Sequence, residues 1–297
     1  MNNNIISLDI GGTTFSSYLI DESLNILSKS SIDNIHNYSN QKDLINGIEN
    51  QMLGLLGEYN ISLKNILCLG ISAPGPLDSK RGYILSTPNL LMLQNTPIVQ
   101  LLQDKLLIPV FLENDANLFA LGEWFNHYNK SDVVVGITLG TGLGLGVIIN
   151  GRLFTGSHGM GAEYGISPYQ SGMWEDVISI EGLETLCKVK NMQKKSPKDL
   201  FILALQGQKD ALEVWNDFGE HLGIFTSHIL NLLDPSVISF GGGLSNAFSF
   251  FSSSLLKQLE LFSPTYKYNN PIIICSKNQL DSAHIGAGKF ALSKIKK

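Results

Sequence analysis

The fold is decided by IISLDIGGTTFSSYLIDESLNILSKS (residues 5–30) and its later echo, DVVVGITLGTGLGLGVIINGRLFTG (residues 132–156). In both, β-branched and large apolar residues alternate around turn residues. That pattern predicts strand, glycine turn, strand, tight turn, strand. Asn150-Gly151 in the second copy is a two-residue hairpin signal. Laid on the first copy, Thr138-Leu139-Gly140-Thr141-Gly142 falls on Asp9-Ile10-Gly11-Gly12-Thr13. An internal repeat of this kind implies two α/β lobes, each opened by a β-hairpin with a glycine tip. Two such tips facing each other across a cleft could hold a polyanion.

Outward from the first copy, QKDLINGIENQMLGLLGEY keeps Leu44, Ile45, Ile48, Met52, Leu55 and Leu56 at helical spacing. NILCLGISAP reads as a buried strand stopped by Pro74 and Pro76. A short helix is expected after Thr96-Pro97, then a strand in PVFLEND that leads straight into the helix ANLFALGEWFNH. Beyond the second copy, DALEVWNDFGEHLGIFTSHILNLL is a long amphipathic helix ended by Asp234-Pro235. PSVISFGGGLSNAFSFFSSSLLKQL reads as strand, Gly241-Gly242-Gly243 turn and helix. The final AHIGAGKFALSKIKK is a helix expected to pack back on the first lobe. The expected division is residues 1–116 plus 283–297 for the smaller lobe and 117–282 for the larger.

Bulk properties narrow the partners. The 297 residues are comfortable for two domains, and 43% hydrophobic residues supply a sizeable core. The formal net charge is -5 with no basic block, which argues against nucleic acid. Cys68, Cys187 and Cys275 each stand alone in an apolar segment, so they read as reduced core thiols of a cytoplasmic protein. No apolar run is long enough to span a membrane, and no signal peptide is expected before the first strand.

Three glycine-rich turns follow strands: DIGGTT, TLGTGLG and SFGGGLS. Glycine there lets backbone N–H groups approach an anion closely. Neither the Walker nor the Rossmann pattern is matched. Asp9 beside the first turn could hold Mg²⁺ through water, or simply cap the turn. In LENDAN, Asp115 sits at a strand end and opens a helix, whose N–H groups favour an ionised carboxylate. Such a group can accept a hydroxyl proton in phosphoryl transfer, though an N-cap would look the same. Asn114 adds an amide that could fix a substrate hydroxyl.

LDIGGTT, GISAPGPLD, STPNL, LENDANLFALGE, ITLGTGLGLGVIINGRLFTG, GAEYG and SFGGGLS together resemble the ROK family of sugar kinases and repressors. The resemblance runs along nearly the whole chain. It implies a two-lobed actin-like ATPase (ribonuclease H-like) α/β fold with its active site in the interlobe cleft. It also implies transfer of the γ-phosphate of ATP to a sugar hydroxyl, with Mg²⁺. On that resemblance Asp9, Gly11, Gly12, Thr13, Thr138, Gly140, Thr141 and Gly142 hold the phosphates and the metal, and Gly242 and Gly243 lie against adenosine. Asp115 is the general base, acting on a hydroxyl expected to be O6. Asn114, Glu163 and Glu175 contact the sugar. Gly75 and Asn89 either line the sugar pocket or serve as scaffold. A homodimer is the family's habit.

One stretch departs from the family. HGMGAEYGISPYQSGMWEDVIS (residues 158–179) has Gly165-Ile166 where the resemblance calls for Gly-His, and lacks the cysteine cluster that, with that His, binds a structural zinc. His158 alone cannot build a tetrahedral site, so no zinc is expected. The missing His is also a usual sugar contact. Zinc-less branches include certain N-acetylmannosamine kinases, so glucose and N-acylated hexosamines both stay open. Tyr164, Pro168, Tyr169, Met173 and Trp174 could order the loop by packing, or be ordinary core. His221 and His228 are expected at the surface of the long helix or at a lobe interface. A sugar-sensing regulator and a polyphosphate-dependent kinase are the alternatives; the family's repressors carry an N-terminal helix-turn-helix that is not expected here.

Overall fold

A computed structural model describes residues 3–87 and 90–295. Residues 5–30 form the expected meander of β1 (Asn4–Ile10), β2 (Thr14–Asp21) and β3 (Ile26–Lys29), with β4 (Asp33–Asn34) added to β2. Helix α1 (Gln41–Glu58) starts on Asn40, whose side chain accepts the Asp43 N–H at 3.0 Å. It buries Leu44, Ile45, Ile48, Met52, Leu55 and Leu56, the residues whose spacing predicts it. Next come β5 (Ile66–Ala73), the small hairpin β6 (Leu77–Asp78) and β7 (Tyr83–Ile84), α2 (Ile98–Leu106), β8 (Val110–Asn114) and α3 (Asp115–His127).

The second copy gives β9 (Val133–Leu139), β10 (Leu143–Ile149) and β11 (Arg152–Leu153). Asn150 and Gly151 take φ of 50° and 73°, as a tight hairpin turn requires. The loop that follows carries a second small hairpin, β12 (Pro168–Tyr169) and β13 (Gly172–Met173). The helices α4 (Ile180–Val189), α5 (Pro197–Leu205) and α6 (Lys209–Leu233) come next. The chain closes with β14 (Val237–Gly241), α7 (Phe248–Phe262), α8 (Pro264–Asn269), β15 (Ile272–Cys275) and α9 (Gln279–Ile295).

The repeat goes deeper than the sequence shows. One sheet runs β3-β2-β1-β5-β8 and the other β11-β10-β9-β14-β15. In each, an antiparallel meander is extended by two parallel strands. The chain divides into two units: Met1–His127 with Thr155–Gly159 and Leu280–Lys297, and Tyr128–Phe154 with Met160–Gln279. The division therefore falls after α3, not at 116/117. The reason is a buried tie between α3 and α9, in which the Ser282 hydroxyl donates to the Glu123 carboxylate at 2.5 Å. The core of the second unit forms around α6, with Trp215, Phe218 and Phe225 almost wholly buried. Cys68 and Cys187 are buried as expected, while Cys275 is half-buried. Among the described residues no helix is long and apolar enough to cross a membrane.

His284 on α9 is fully buried in the first unit. Its Nδ1 is 2.7 Å from the Ser7 hydroxyl and its Nε2 is 3.0 Å from that of Ser16; its ring stacks on Tyr18 at 3.6 Å. Burial, with the Lys29 charge adding to it, pushes its pKa down to about 3. An unfolded histidine takes up its proton near pH 6.5. Between those two values the unfolded chain binds the extra proton, so stability is full above about pH 6.5 and falls as the pH drops, by about 1.4 kcal/mol per unit. Urea melts from pH 7.5 to 5 should show this slope in the wild type. His284→Gln should be less stable at pH 7.5 and lose less over the same range. Equal losses in the two proteins would acquit His284.

Candidate active site

In the first unit, three parallel strands bring the polar residues together. Asp9 on β1 is level with Ser72 on β5, and Ala73 on β5 is level with Asn114 on β8. Asp9, Ser72 and Asn114 thus lie at the carboxyl ends of neighbouring strands, the edge where open α/β sheets bind ligands. The Ser72 hydroxyl donates to Asp9 Oδ1 at 2.6 Å. Burial raises the Asp9 carboxyl above the usual range, and that hydrogen bond only partly offsets it. A cation beside Asp9 would favour its charged form. The hard oxygen donors present suit Mg²⁺, held directly or through water.

The glycine turn beside Asp9 is closed by the Gly11 N–H donating to the Thr14 carbonyl at 2.8 Å. Gly12 is half-buried and Thr13 is exposed. The Thr13 carbonyl accepts the Ile35 N–H at 2.8 Å, which pins the tip.

The cap of α3 is Asn114. Its Oδ1 accepts the N–H groups of Ala116 at 3.0 Å and Asn117 at 3.3 Å. Asp115 is the first helical residue, and its Oδ1 accepts the Ala116 N–H at 2.8 Å. Its carboxylate therefore sits where the helix dipole favours negative charge. The cap reading weighed for Asp115 belongs mainly to its neighbour. Gly75 borders the Asn114 amide: a Cβ there would lie 3.4 Å from Asn114 Nδ2. Asn89 lies outside the described residues.

Glu113, which sequence reasoning passed over, is 4% exposed. It accepts the Asn114 N–H at 2.8 Å and the Asn117 Nδ2–H at 3.1 Å, and burial raises its carboxyl. A carboxylate inside a strand that otherwise reads as buried was the available signal.

In the second unit, the β9–β10 turn is closed by the Gly140 N–H donating to the Gly142 carbonyl at 3.0 Å. Thr138 is half-buried and Thr141 exposed. The third glycine turn lies against this one. Gly242 has φ of 83°, and a Cβ there would meet the Leu139 carbonyl at 2.3 Å, so only glycine lets the two turns touch. Around Gly243 a Cβ would meet nothing within 4 Å.

Glu175 joins this group. Its Oε2 accepts the Leu143 N–H at 2.8 Å, just past the β9–β10 turn. Its own N–H donates to the Gly165 carbonyl at 2.9 Å, and the Ile180 N–H donates to the Gly140 carbonyl at 2.9 Å. Gly165 must be glycine, because a Cβ would lie 2.2 Å from the Leu143 carbonyl. The loop bearing Glu163 and Glu175 is thereby stitched to β10 and its glycine turn. Glu163 is solvent-exposed as a residue, while desolvation of its carboxyl and then the like charge of Glu175 raise it above the usual range.

The rest of the 158–179 loop is packed. Trp174 is 1% exposed and stacks on Tyr169 at 3.6 Å. Tyr169 Oη pairs with His221 Nδ1 at 3.0 Å, and Tyr164 Oη with His228 Nδ1 at 2.8 Å. Both histidines therefore face this loop. Asp176 Oδ2 accepts the Met173 N–H at 2.8 Å and closes the β12–β13 hairpin. Among the described residues, no three His, Cys, Asp or Glu side chains cluster as a metal centre would need.

The model for the ROK family matches residues 5–294. The chain is 31% identical to the glucokinase of Thermotoga maritima, over 82% of this chain and 83% of that one. It is 29% identical to the N-acetyl-D-glucosamine kinase of Haemophilus influenzae, over 85% and 88% of the two chains. A xylose repressor of Caldicellulosiruptor bescii is 29% identical over 66% of this chain but 54% of its own length. Among solved structures, the ROK hexokinase of Thermus thermophilus superposes with a TM-score of 0.85 at 25% identity, covering 99% of both chains.

Proposed function

The chain belongs to the ROK family and has the α/β fold of the actin-like ATPases, and on that premise we propose that it is an ATP-dependent kinase of a hexose or N-acetylhexosamine with Asp115 as general base. The observation that carries this reading is the start of α3. Asn114 caps the helix, which leaves Asp115 at its positive end, on the same strand edge as Asp9. A carboxylate so placed lies where the helix dipole favours negative charge and can take a proton.

Each unit supplies its own part. In the first, Asp115 takes the proton of the attacking hydroxyl, O6 by the family's habit, as that oxygen bonds to the γ-phosphorus and the bond to the β-bridging oxygen of ATP breaks. ADP leaves with the electron pair, and Asp115 later returns its proton to solvent. Asn114 and Gly75 border the hydroxyl, and Gly12 and Thr13 bring backbone up to the phosphates. Mg²⁺, when bound with ATP near Asp9, neutralises charge on the phosphoryl oxygens. In the second unit, Thr138, Thr141 and Gly142 approach phosphate, and Gly243, beside Gly242, leaves room for adenosine. Glu163 and Glu175 accept from sugar hydroxyls, and Glu175 can do so through Oε1 while Oε2 holds the Leu143 N–H.

The similarity to a glucokinase and an N-acetylglucosamine kinase supports a sugar of this class. The similarity to a repressor favours, as a second reading, a regulator that binds sugar without turnover. Sugar-phosphate formation, with coupled ADP release for the ATP arm, decides between them, with glucose, N-acetylglucosamine and N-acetylmannosamine as acceptors and ATP-Mg²⁺ or polyphosphate as donor. The expected result is ADP release that depends on one of these sugars. Sugar binding with no sugar phosphate formed from either donor would make the protein a regulator, and phosphorylation from polyphosphate alone would overturn the donor.

A further inference from the structure

Three residues of α6 form one stripe: His221, Phe225 and His228, spaced i, i+4 and i+7. Phe225 is fully buried, and the loop that bears Glu163 and Glu175 lies on this stripe. Tyr164 follows Glu163 directly; its ring is 5.4 Å from Phe225 and its hydroxyl pairs with His228. Trp174 precedes Glu175 directly and sets its edge against Phe225 at 5.4 Å and His228 at 5.5 Å. Tyr169 covers the other face of Trp174 and pairs through its hydroxyl with His221. Each carboxylate thus has, as its immediate chain neighbour, an aromatic ring fixed to the same helix face.

We propose that His221 and His228 are positioning residues for the two carboxylates: they lock Tyr169 and Tyr164 onto α6, and so hold Glu163 and Glu175 where sugar hydroxyls meet them. This rests on the sugar-kinase reading for the role of the carboxylates. It answers what orders the loop in a chain that lacks a cysteine cluster there.

Stacking alone would seat the loop but let it slide. A hydrogen bond at each end of the stripe fixes its register, because a tyrosine hydroxyl and an imidazole nitrogen meet only in one geometry. Burial keeps His221 below the ordinary imidazole range, so the ring that faces Tyr169 is neutral at pH 7. Which partner donates depends on the tautomer, and either assignment makes the same bond.

The test uses Tyr169→Phe, His221→Leu, the double variant and His221→Asn in the whole chain. Tyr169→Phe keeps the stack on Trp174 and removes only the hydroxyl. His221→Asn keeps a polar atom near the Nδ1 position. Two readouts are taken: amide hydrogen exchange over residues 163–176, and the sugar KM and kcat. The expected result is faster loop exchange and a rise in sugar KM of about fivefold in each single variant, with kcat little changed. The double variant should be no worse than the singles, because one bond is lost in all three. His221→Asn should recover much of the loss.

A merely structural role would lower the active fraction, and so kcat, with sugar KM unmoved; that result overturns the proposal. So does loop exchange that matches the wild type in every variant. Failure of the kinase reading looks different: the wild type itself would release no ADP with any sugar, while exchange would still report whether the loop is locked.

Discussion

Asp115→Asn is expected to lower turnover by about 10²–10⁴-fold while the protein folds as before. The fold survives because the capping bonds do not depend on the Asp115 charge. Asn114 Oδ1 still takes the Ala116 and Asn117 N–H groups, and an asparagine Oδ1 at 115 can accept the Ala116 N–H that Asp115 accepts now. What disappears is the carboxylate proposed as the proton acceptor, since an amide oxygen is a far weaker base than a carboxylate. The loss should appear in kcat, with the sugar and ATP KM values within a few-fold of the wild type. Circular dichroism and the thermal midpoint monitor the fold. Activity near the wild-type level in a well-folded variant would remove Asp115 from the mechanism.

Trp174→Ala should be the most damaging change to the loop that bears Glu163 and Glu175. The ring is 1% exposed and is sandwiched between Tyr169 and the α6 stripe. Its removal costs about 3–5 kcal/mol, because the buried surface is lost and a cavity is left behind. In a chain of this size that lowers the thermal midpoint by roughly 5–8 °C. The Trp174 N–H also donates to the Ser167 carbonyl at 3.2 Å, which ties the two ends of the β12–β13 hairpin. With the ring gone, Glu175 loses its packed neighbour and sugar KM should rise as well. Trp174→Phe keeps a ring in the sandwich and should recover most of the stability. A Trp174→Ala protein that melts within a few degrees of the wild type would show that the ring does not hold the loop.

Much of this was legible in the chain itself. The two meanders, the buried face of α1, the Asn150-Gly151 turn and the stop at Asp234-Pro235 rest on local signals: side-chain period, caps and turn residues act within a few residues of themselves. The three glycine turns and the LENDAN segment could be picked out for the same reason. The equivalence of the two whole sheets could not, because β5 and β8 share no readable pattern with β14 and β15. Nor could the division after α3, which depends on Ser282 reaching Glu123.

The site divides along the same line. Sequence determined which residues are proposed to carry the chemistry: Asp9, Asn114, Asp115, Glu163, Glu175 and the glycines. Tertiary structure alone decided what each is bonded to. Glu175 takes the N–H of Leu143, 32 residues before it, and Tyr164 pairs with His228, 64 residues after it. His284, which looks like any helix-start residue, is locked between Ser7 and Ser16, 277 and 268 residues away. No period or cap signal reaches that far. Such pairings are fixed only when the buried faces of distant elements pack in register, and that packing turned an unremarkable pair of helix histidines into partners of Tyr164 and Tyr169.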